Sequence, residues 1–182
     1  MRKTHLVILG STGSIGVNTL DVVSRYPDRF QVVGLSAYNN LKLLEAQVQK
    51  FLPKYIAVSE PCIADFRRRV QGKKVKILSV ESDLCQLVTL ASVDLVVIGM
   101  TGSGALQPFL AAVRAGKTVA PANKEALVMA GDILMRAAKT HKAKIIPVDS
   151  EQSAIFQCLE GQNRRDLQSV YLTASGGALW KV

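Results

Sequence analysis

The strongest constraint on this chain is a glycine-rich turn near its start, with the sequence GSTGSIG at residues 10–16. The turn follows an apolar run at 4–9 and precedes a segment of helical periodicity, so it joins the first strand and helix of a βαβ unit. Glycines let the backbone turn sharply and approach a diphosphate, and the free N–H groups at a helix start favour negative charge. The turn therefore predicts a nucleotide-binding α/β domain, with a tight turn that binds no ligand as the alternative.

Apolar runs and helical segments alternate along most of the chain, which is typical of a parallel sheet covered by helices. We predict an α/β fold, a Rossmann-like doubly wound parallel sheet followed by the start of an α+β catalytic domain. Strands are predicted at 4–9, 30–37, 55–58, 75–78, 93–98, 118–120, 144–148 and 169–173. Helices are predicted at 14–26, 40–51, 61–70, 82–91, 104–115 and 123–141.

The alternation ends near residue 149, which suggests a nucleotide-binding domain at 1–148 and the beginning of a catalytic domain at 149–182. Because the chain stops just after a glycine-rich turn, we expect more sequence to belong to the working protein. No apolar run is long enough for a signal peptide or a membrane span. Three widely spaced cysteines suggest reduced thiols, and we expect a cytoplasmic protein.

The formal net charge of +9 raises the question of nucleic-acid binding, and six basic residues cluster at 67–69 and at 73, 74 and 76. Aromatic residues make up 5% of the chain, and none interleaves with that cluster to stack on bases. We therefore expect no nucleic-acid partner and no membrane partner. The positive charge is better suited to attracting anionic small molecules.

The second strand carries information on the cofactor, because NAD-binding relatives of this architecture have an acidic residue at its end. Here the segment 35–40 contains no carboxylate, and the neutral amide donors of Asn39 and Asn40, with Lys42 nearby, would tolerate a 2′-phosphate. This favours NADP over NAD. The alternative is that the two asparagines form the turn that caps the next helix.

Two later segments contain groups suited to catalysis. Asn123, Lys124 and Glu125 begin a helix after a short strand, where lysine could hold a substrate; the alternative is an Asn cap with an exposed Lys-Glu pair. Asp149 and Glu151 follow the next strand, and in extended geometry both carboxylates would face one Mg²⁺ or Mn²⁺ ion, with a third ligand from elsewhere. The alternative there is a helix-capping acidic turn.

The sequence AGKT at 115–118 lacks the first glycine of a P-loop, and we interpret it as a turn.

Four motifs together resemble the 1-deoxy-D-xylulose 5-phosphate reductoisomerase family of the non-mevalonate isoprenoid pathway. They are GSTGSIG at 10–16, NKEALV at 123–128, PVDSE at 147–151 with AIFQ at 154–157, and LTASGG at 172–177. The resemblance implies an NADPH- and metal-dependent enzyme that rearranges a phosphorylated ketose and reduces it to 2-C-methyl-D-erythritol 4-phosphate. It also implies a homodimer for the full-length protein, and members about twice as long as this chain.

The resemblance assigns a role to each candidate residue. Cofactor contacts would come from Gly10, Thr12, Gly13, Ser14, Ile15, Gly16, Tyr38, Asn39, Asn40, Asn123 and Glu125. Substrate contacts would come from Lys124, Ser150, Glu151 and Ser175, and Lys124, Asp149 and Glu151 would be the catalytic group. Asp149 and Glu151 would hold the metal. Tyr38 and Asn39 depart from the residues usual in the family, which bears on the strength of 2′-phosphate binding.

We expect this chain alone to bind the cofactor with little or no turnover. Two other functions fit the first turn. A semialdehyde or homoserine-type dehydrogenase shares the turn but should lack a metal-binding Asp-x-Glu. A nucleotide-sensing module would bind NADP and perform no chemistry.

Overall fold

The computed structural model describes residues 2–172, which form one seven-stranded parallel sheet flanked by helices. The strands are β1 (Thr4–Leu9), β2 (Phe30–Ser36), β3 (Tyr55–Val58), β4 (Lys76–Ser79), β5 (Leu95–Ile98), β6 (Thr118–Pro121) and β7 (Lys144–Ile145). The helices are α1 (Ser14–Arg25), α2 (Leu41–Phe51), α3 (Ile63–Arg69), α4 (Leu84–Thr89), α5 (Leu106–Arg114), α6 (Lys124–His141) and α7 (Ser150–Leu159). Single 3-10 turns lie at Glu60–Cys62, Ser103–Ala105 and Arg164–Asp166.

The strand order is β4-β3-β2-β1-β5-β6-β7, with every neighbouring pair parallel. The chain steps outward from β1 to β4, crosses back to place β5 beside β1, and then steps outward again to β7. The order therefore reverses between β1 and β5. Ligands of open parallel sheets bind outside the carboxyl ends of the strands at such a switch point.

Two apolar cores lie on opposite faces of the sheet, because successive strand side chains point to opposite sides. Leu6 and Ile8 of β1 belong to one core, together with α1, α2 and α3. Val7 and Leu9 belong to the other, together with α4, α5 and α6. Strands covered on both faces read as continuous apolar runs, which is why β1 was recognisable in the sequence.

The predicted fold class is confirmed, and the six predicted helices and the first seven predicted strands are present with ends shifted by a few residues. The predicted strand at 144–148 is limited to Lys144–Ile145, since Pro147 lacks the N–H that a sheet ladder uses. The strand predicted at 169–173 is wrong for its described part: residues 169–172 form no strand and are exposed, and Thr173 lies outside the described residues. No helix between residues 2 and 172 has the length and apolarity to cross a membrane.

Candidate functional site

Hydrogen bonds from β2 and α2 fix the turn between β1 and α1. The Gly10 N–H donates to Ser36 Oγ (3.0 Å), and the Ser11 N–H donates to the Ser36 carbonyl (2.7 Å). The Ser11 hydroxyl donates to Gln47 Oε1 (2.7 Å), while Gln47 Nε2 donates to the Ser11 carbonyl (2.8 Å). The side chains of Ser11, Ser36 and Gln47 are all buried. The backbone at Gly10 and Ser11 is therefore held in one orientation.

The three glycines of the turn are required for different reasons. Gly10 has a φ of +80°, and a Cβ there would lie 2.8 Å from Met100 N. A Cβ on Gly16 would lie 2.4 Å from the Gly10 carbonyl oxygen, so only glycine lets α1 pack this close. Gly13 has an ordinary φ of −79°, and its Cβ would come no nearer than 3.5 Å to Gly10 O. The packing of the chain does not require glycine at position 13, but close approach of a diphosphate to the backbone does.

Several backbone amides at the start of α1 are unpaired. The N–H groups of Thr12, Ser14 and Ile15 make no hydrogen bond to any residue in the range 2–172, and no side chain caps the helix at Gly13. The first turn of α1 also contains no acidic residue. Free amides at a helix N-terminus attract a phosphate through both hydrogen bonds and the helix dipole. The residues predicted to contact a diphosphate are thus brought together.

A cleft of about 370 Å³ lies beside the turn, between segments that follow β2, β4 and β5. Its lining residues are Tyr38, Val80, Glu81, Ser82, Leu84, Cys85, Met100, Gly104, Gln107 and Pro108. Tyr38 is the only aromatic side chain in this lining and is 67% exposed. Burial raises the pKa of the Cys85 thiol, which favours its protonated form. A largely apolar cleft with a polar edge suits a planar heterocycle.

The residues after β2 include a helix cap. Asn40 Oδ1 accepts a hydrogen bond from the Leu43 N–H (3.3 Å), so the capping alternative is confirmed for Asn40. Asn39 and Tyr38 are exposed. Although segment 35–40 has no carboxylate, Glu81 lines the same cleft as Tyr38, and its Oε2 accepts from Ser79 Oγ (2.9 Å). This carboxylate follows β4 and not β2, so the sequence of segment 35–40 gives no sign of it.

Asn123 uses most of its polar groups within the chain. Its Oδ1 caps α6 by accepting from the Ala126 N–H (2.8 Å), and its Nδ2 donates to the carbonyls of Met100 (2.8 Å) and Gly102 (3.0 Å). The residue is 3% exposed. The capping alternative is therefore confirmed, while a contact between Asn123 and a cofactor stays a prediction.

We expect Asn123→Ala to lower the free energy of unfolding by about 2 kcal/mol, because α6 loses its cap and two carbonyls lose their donor. Urea unfolding followed by circular dichroism measures this. Asn123→Ser is the matched control: its hydroxyl can still accept from the Ala126 N–H and cap α6, and it loses the donor to the two carbonyls without adding a charge, so it should destabilise less. A variant Asn123→Ala as stable as the parent chain would contradict the assignment of Asn123 as a buried link between α6 and the loop after β5.

Lys124, Asp149 and Glu151 lie near one another, although not in the geometry predicted. The extended conformation expected for 149–151 is wrong: Asp149 caps α7 by accepting from the Gln152 N–H (3.4 Å), and Ser150 and Glu151 form its first turn. The capping alternative is thus confirmed. The Ser150 hydroxyl donates to Glu151 Oε2 (2.6 Å), and this bond lowers the pKa of Glu151, with a smaller contribution from the Lys124 charge.

The role of these groups as metal ligands stays a prediction. Glu151 is exposed and its pKa is lowered, chiefly by the Ser150 hydrogen bond, which favours the ionised form that a metal ligand requires. Residues 2–172 contain no cluster of three His, Cys, Asp or Glu side chains that could hold a metal ion. A complete site would need a ligand from outside this range, and the candidate substrate contact Ser175 also lies outside the described residues.

The AGKT segment is a turn, as predicted. Gly116 has a φ of +69° and leads into β6. Lys117 Nζ donates to the carbonyls of Leu90 (2.8 Å) and Val93 (2.7 Å), which ties the end of α4 to β6. The lysine therefore has a structural role in this turn.

Comparisons with known proteins identify a family of similar sequences. A family model described as 1-deoxy-D-xylulose 5-phosphate reductoisomerase matches residues 6–131, and the model of that enzyme's C-terminal domain matches residues 145–182. The reductoisomerase of Geotalea uraniireducens is 47% identical over 94% of this chain and 45% of its own length. The chain thus spans less than half the length of the curated relatives it matches.

Solved structures are similar as well. The 1-deoxy-D-xylulose 5-phosphate reductoisomerase of Zymomonas mobilis in complex with NADPH is 36% identical with a TM-score of 0.90, covering 97% of this chain and 47% of its own. A DOX-P reductoisomerase in complex with NADPH, fosmidomycin and magnesium is 39% identical with a TM-score of 0.83, over 85% of this chain and 38% of that one. A homoserine dehydrogenase of Thiobacillus denitrificans, 19% identical with a TM-score of 0.57 over 88% of this chain and 33% of its own, shares the fold alone.

Proposed function

The chain belongs to the 1-deoxy-D-xylulose 5-phosphate reductoisomerase family, and on that premise we propose that the whole protein converts 1-deoxy-D-xylulose 5-phosphate to 2-C-methyl-D-erythritol 4-phosphate with NADPH and a divalent metal ion. The observation that supports the cofactor is the open backbone at Gly13 beside unpaired amides, at the switch point of the sheet, and the reaction itself rests on the family match. In this proposal residues 1–148 form the NADPH domain and residues 149–182 begin the catalytic domain.

The residues fit a dinucleotide bound across the carboxyl edge of the sheet. The amides of Thr12, Ser14 and Ile15 would hold the diphosphate, and the cleft lined by Tyr38 and Met100 would take the adenine ring. Asn39 and Asn40 would meet the 2′-phosphate as neutral donors. Glu125, exposed in the first turn of α6, would lie on the nicotinamide side with Asn123. NADPH supplies the hydride when bound, and the chain orients it.

The substrate side would use α6 and α7. Lys124 is a cation suited to a substrate phosphate or hydroxyl, and Ser150 and Glu151 would orient the substrate's oxygens. Asp149 and Glu151 would hold Mg²⁺ or Mn²⁺, which prefer such hard oxygen ligands. The bound metal supplies Lewis-acid stabilisation of negative charge on the substrate's carbonyl and hydroxyl oxygens. The Ser150 hydroxyl would hold the Glu151 carboxylate in position for this task through its hydrogen bond (2.6 Å), which also lowers the pKa of Glu151.

The setting of the protein is part of the proposal. Cys62, Cys85 and Cys158 are free thiols, which supports a reducing compartment such as the cytoplasm. The substrate partner is a small phosphorylated ketose, and the full-length protein is proposed to be a homodimer.

The proposal is tested with the 182-residue chain itself. Titration with NADPH, followed by its fluorescence, should give saturable one-to-one binding. With 1-deoxy-D-xylulose 5-phosphate and Mg²⁺ added, steady NADPH oxidation should be absent or very slow, because the metal site needs a further ligand. Failure to bind NADPH would overturn the cofactor assignment, and a normal turnover rate would overturn the prediction that this chain alone is inactive.

Two assays on the whole protein separate the other functions. A homoserine-type dehydrogenase predicts activity independent of added metal, whereas the proposal predicts loss of activity with a chelator and recovery with Mg²⁺ or Mn²⁺. A nucleotide sensor predicts that Asp149→Asn leaves the phenotype unchanged. The asparagine keeps the α7 cap, so a loss of activity in that variant reports on the metal rather than on folding.

A further inference from the structure

We propose that Gln47 is a positioning residue for the cofactor, because it sets the direction of the Thr12 N–H toward the diphosphate position. This inference rests on the proposed function. Gln47 lies on α2, 36 residues from Ser11, and is 6% exposed. Its helical neighbours on the buried face, Leu44 and Val48, are apolar core residues. A glutamine on this apolar face requires hydrogen-bond partners, because burying an amide without partners is costly.

The side chain of Gln47 matches Ser11 group for group. Oε1 accepts from the Ser11 hydroxyl (2.7 Å), and Nε2 donates to the Ser11 carbonyl (2.8 Å). Ser11 offers a hydroxyl donor and a carbonyl acceptor here, and the Gln47 amide offers the matching acceptor and donor. A carboxylate offers only acceptors, and an apolar side chain offers neither. The pair is therefore specific to an uncharged group with both functions.

The geometry of the peptide bond between Ser11 and Thr12 links the Gln47 contact to the direction of the Thr12 N–H. The Ser11 carbonyl and the Thr12 N–H belong to one planar trans peptide unit, in which C=O and N–H point in opposite directions. Because Gln47 holds the carbonyl toward the buried side of α2, the Thr12 N–H is directed away from it. That N–H makes no hydrogen bond to any described residue. Ser36 holds the preceding peptide through the Ser11 N–H (2.7 Å), so the unit cannot turn over freely.

Gln47→Glu is the decisive variant, because glutamate has the same shape and changes its donor with pH. A protonated carboxyl can donate to the Ser11 carbonyl, as Nε2 does, whereas in the carboxylate the oxygen that replaces Nε2 would face that carbonyl as a second acceptor. Burial raises the pKa of such a carboxyl, which brings the change into an accessible range. NADP⁺ affinity of this variant, measured by calorimetry from about pH 5.5 to about pH 8.5, should weaken about ten-fold more than that of the parent chain.

Two controls separate positioning from stability. Gln49→Glu places the same charge on the exposed side of α2 and should follow the parent pH profile. Adenosine 2′-monophosphate lacks the diphosphate, so its affinity for Gln47→Glu should change with pH as it does for the parent. A purely structural role for Gln47 would weaken both ligands together.

Gln47→Met, which removes both hydrogen bonds, should bind NADP⁺ about ten-fold more weakly at every pH. The inference is overturned if Gln47→Glu follows the parent profile for NADP⁺, or if a folded Gln47→Met binds NADP⁺ like the parent. If Gln47→Met does not fold, the Gln47→Glu titration decides alone. If the parent chain itself fails to bind NADP⁺, the proposed function fails instead.

Discussion

Gly16→Ala is expected to lower the free energy of unfolding by about 3 kcal/mol, at the upper end of the range for overpacked sites. The added Cβ would lie 2.4 Å from both Gly10 O and Ser11 Cα. These are backbone atoms, and the hydrogen bonds to Ser36 and Gln47 hold them in place. The clash can be relieved only by moving α1 away from the sheet, which opens the core around Leu20. Urea unfolding measured by circular dichroism gives the value.

Gly13→Ala is the matched control for this experiment. It makes the same substitution three residues earlier, where the Cβ meets nothing closer than 3.5 Å. Its cost in stability should stay within about 1 kcal/mol, the usual effect of alanine at a helix N-cap. Equal stability of the two variants would show that α1 does not pack against the turn as described.

The same Gly13→Ala variant is expected to lose about 100-fold in NADPH affinity while remaining folded. A diphosphate hydrogen-bonded to the amides of Thr12 and Ser14 must approach the backbone of residue 13 closely, and a methyl group there would hold it away. Fluorescence titration with NADPH gives the dissociation constant.

Adenosine 2′-monophosphate provides the control for that loss. It has no diphosphate and should bind Gly13→Ala about as well as the parent. Undiminished NADPH affinity in a folded Gly13→Ala would mean that the diphosphate does not lie over this turn.

The parts of the fold that were predicted correctly are those encoded by patterns of neighbouring residues in the sequence. The glycine turn is visible because its strand, turn and helix are contiguous, and strands buried on both faces give apolar runs. Helix α7 was missed because Ser150–Leu159 contains no buried residue and so shows little of the periodicity that buried faces impose. The sequence was compatible with both an extended strand end and a helix cap at Asp149. The hydrogen bond from the Gln152 N–H to Asp149 shows that it is a cap.

The parts of the site that were missed depend on contacts distant in sequence. Gln47 meets Ser11 across 36 residues, and Glu81 reaches the cleft of Tyr38 from the end of β4. Neither residue has a neighbour in the chain that signals its role. Residues that only support a site are recognised from contacts in the three-dimensional structure. Residues of a contiguous binding motif can be recognised in the sequence.

The position of β4 gives the basic cluster a different meaning from the one that charge alone suggests. β4 is an edge strand among the described residues, and its first residue, Lys76, is exposed, as are Lys73 and Lys74 just before it. An edge strand presents unpaired N–H and C=O groups to any other strand, and lysines at the edge oppose such pairing by charge repulsion. The three lysines at this edge are therefore placed where their charge opposes the addition of another strand.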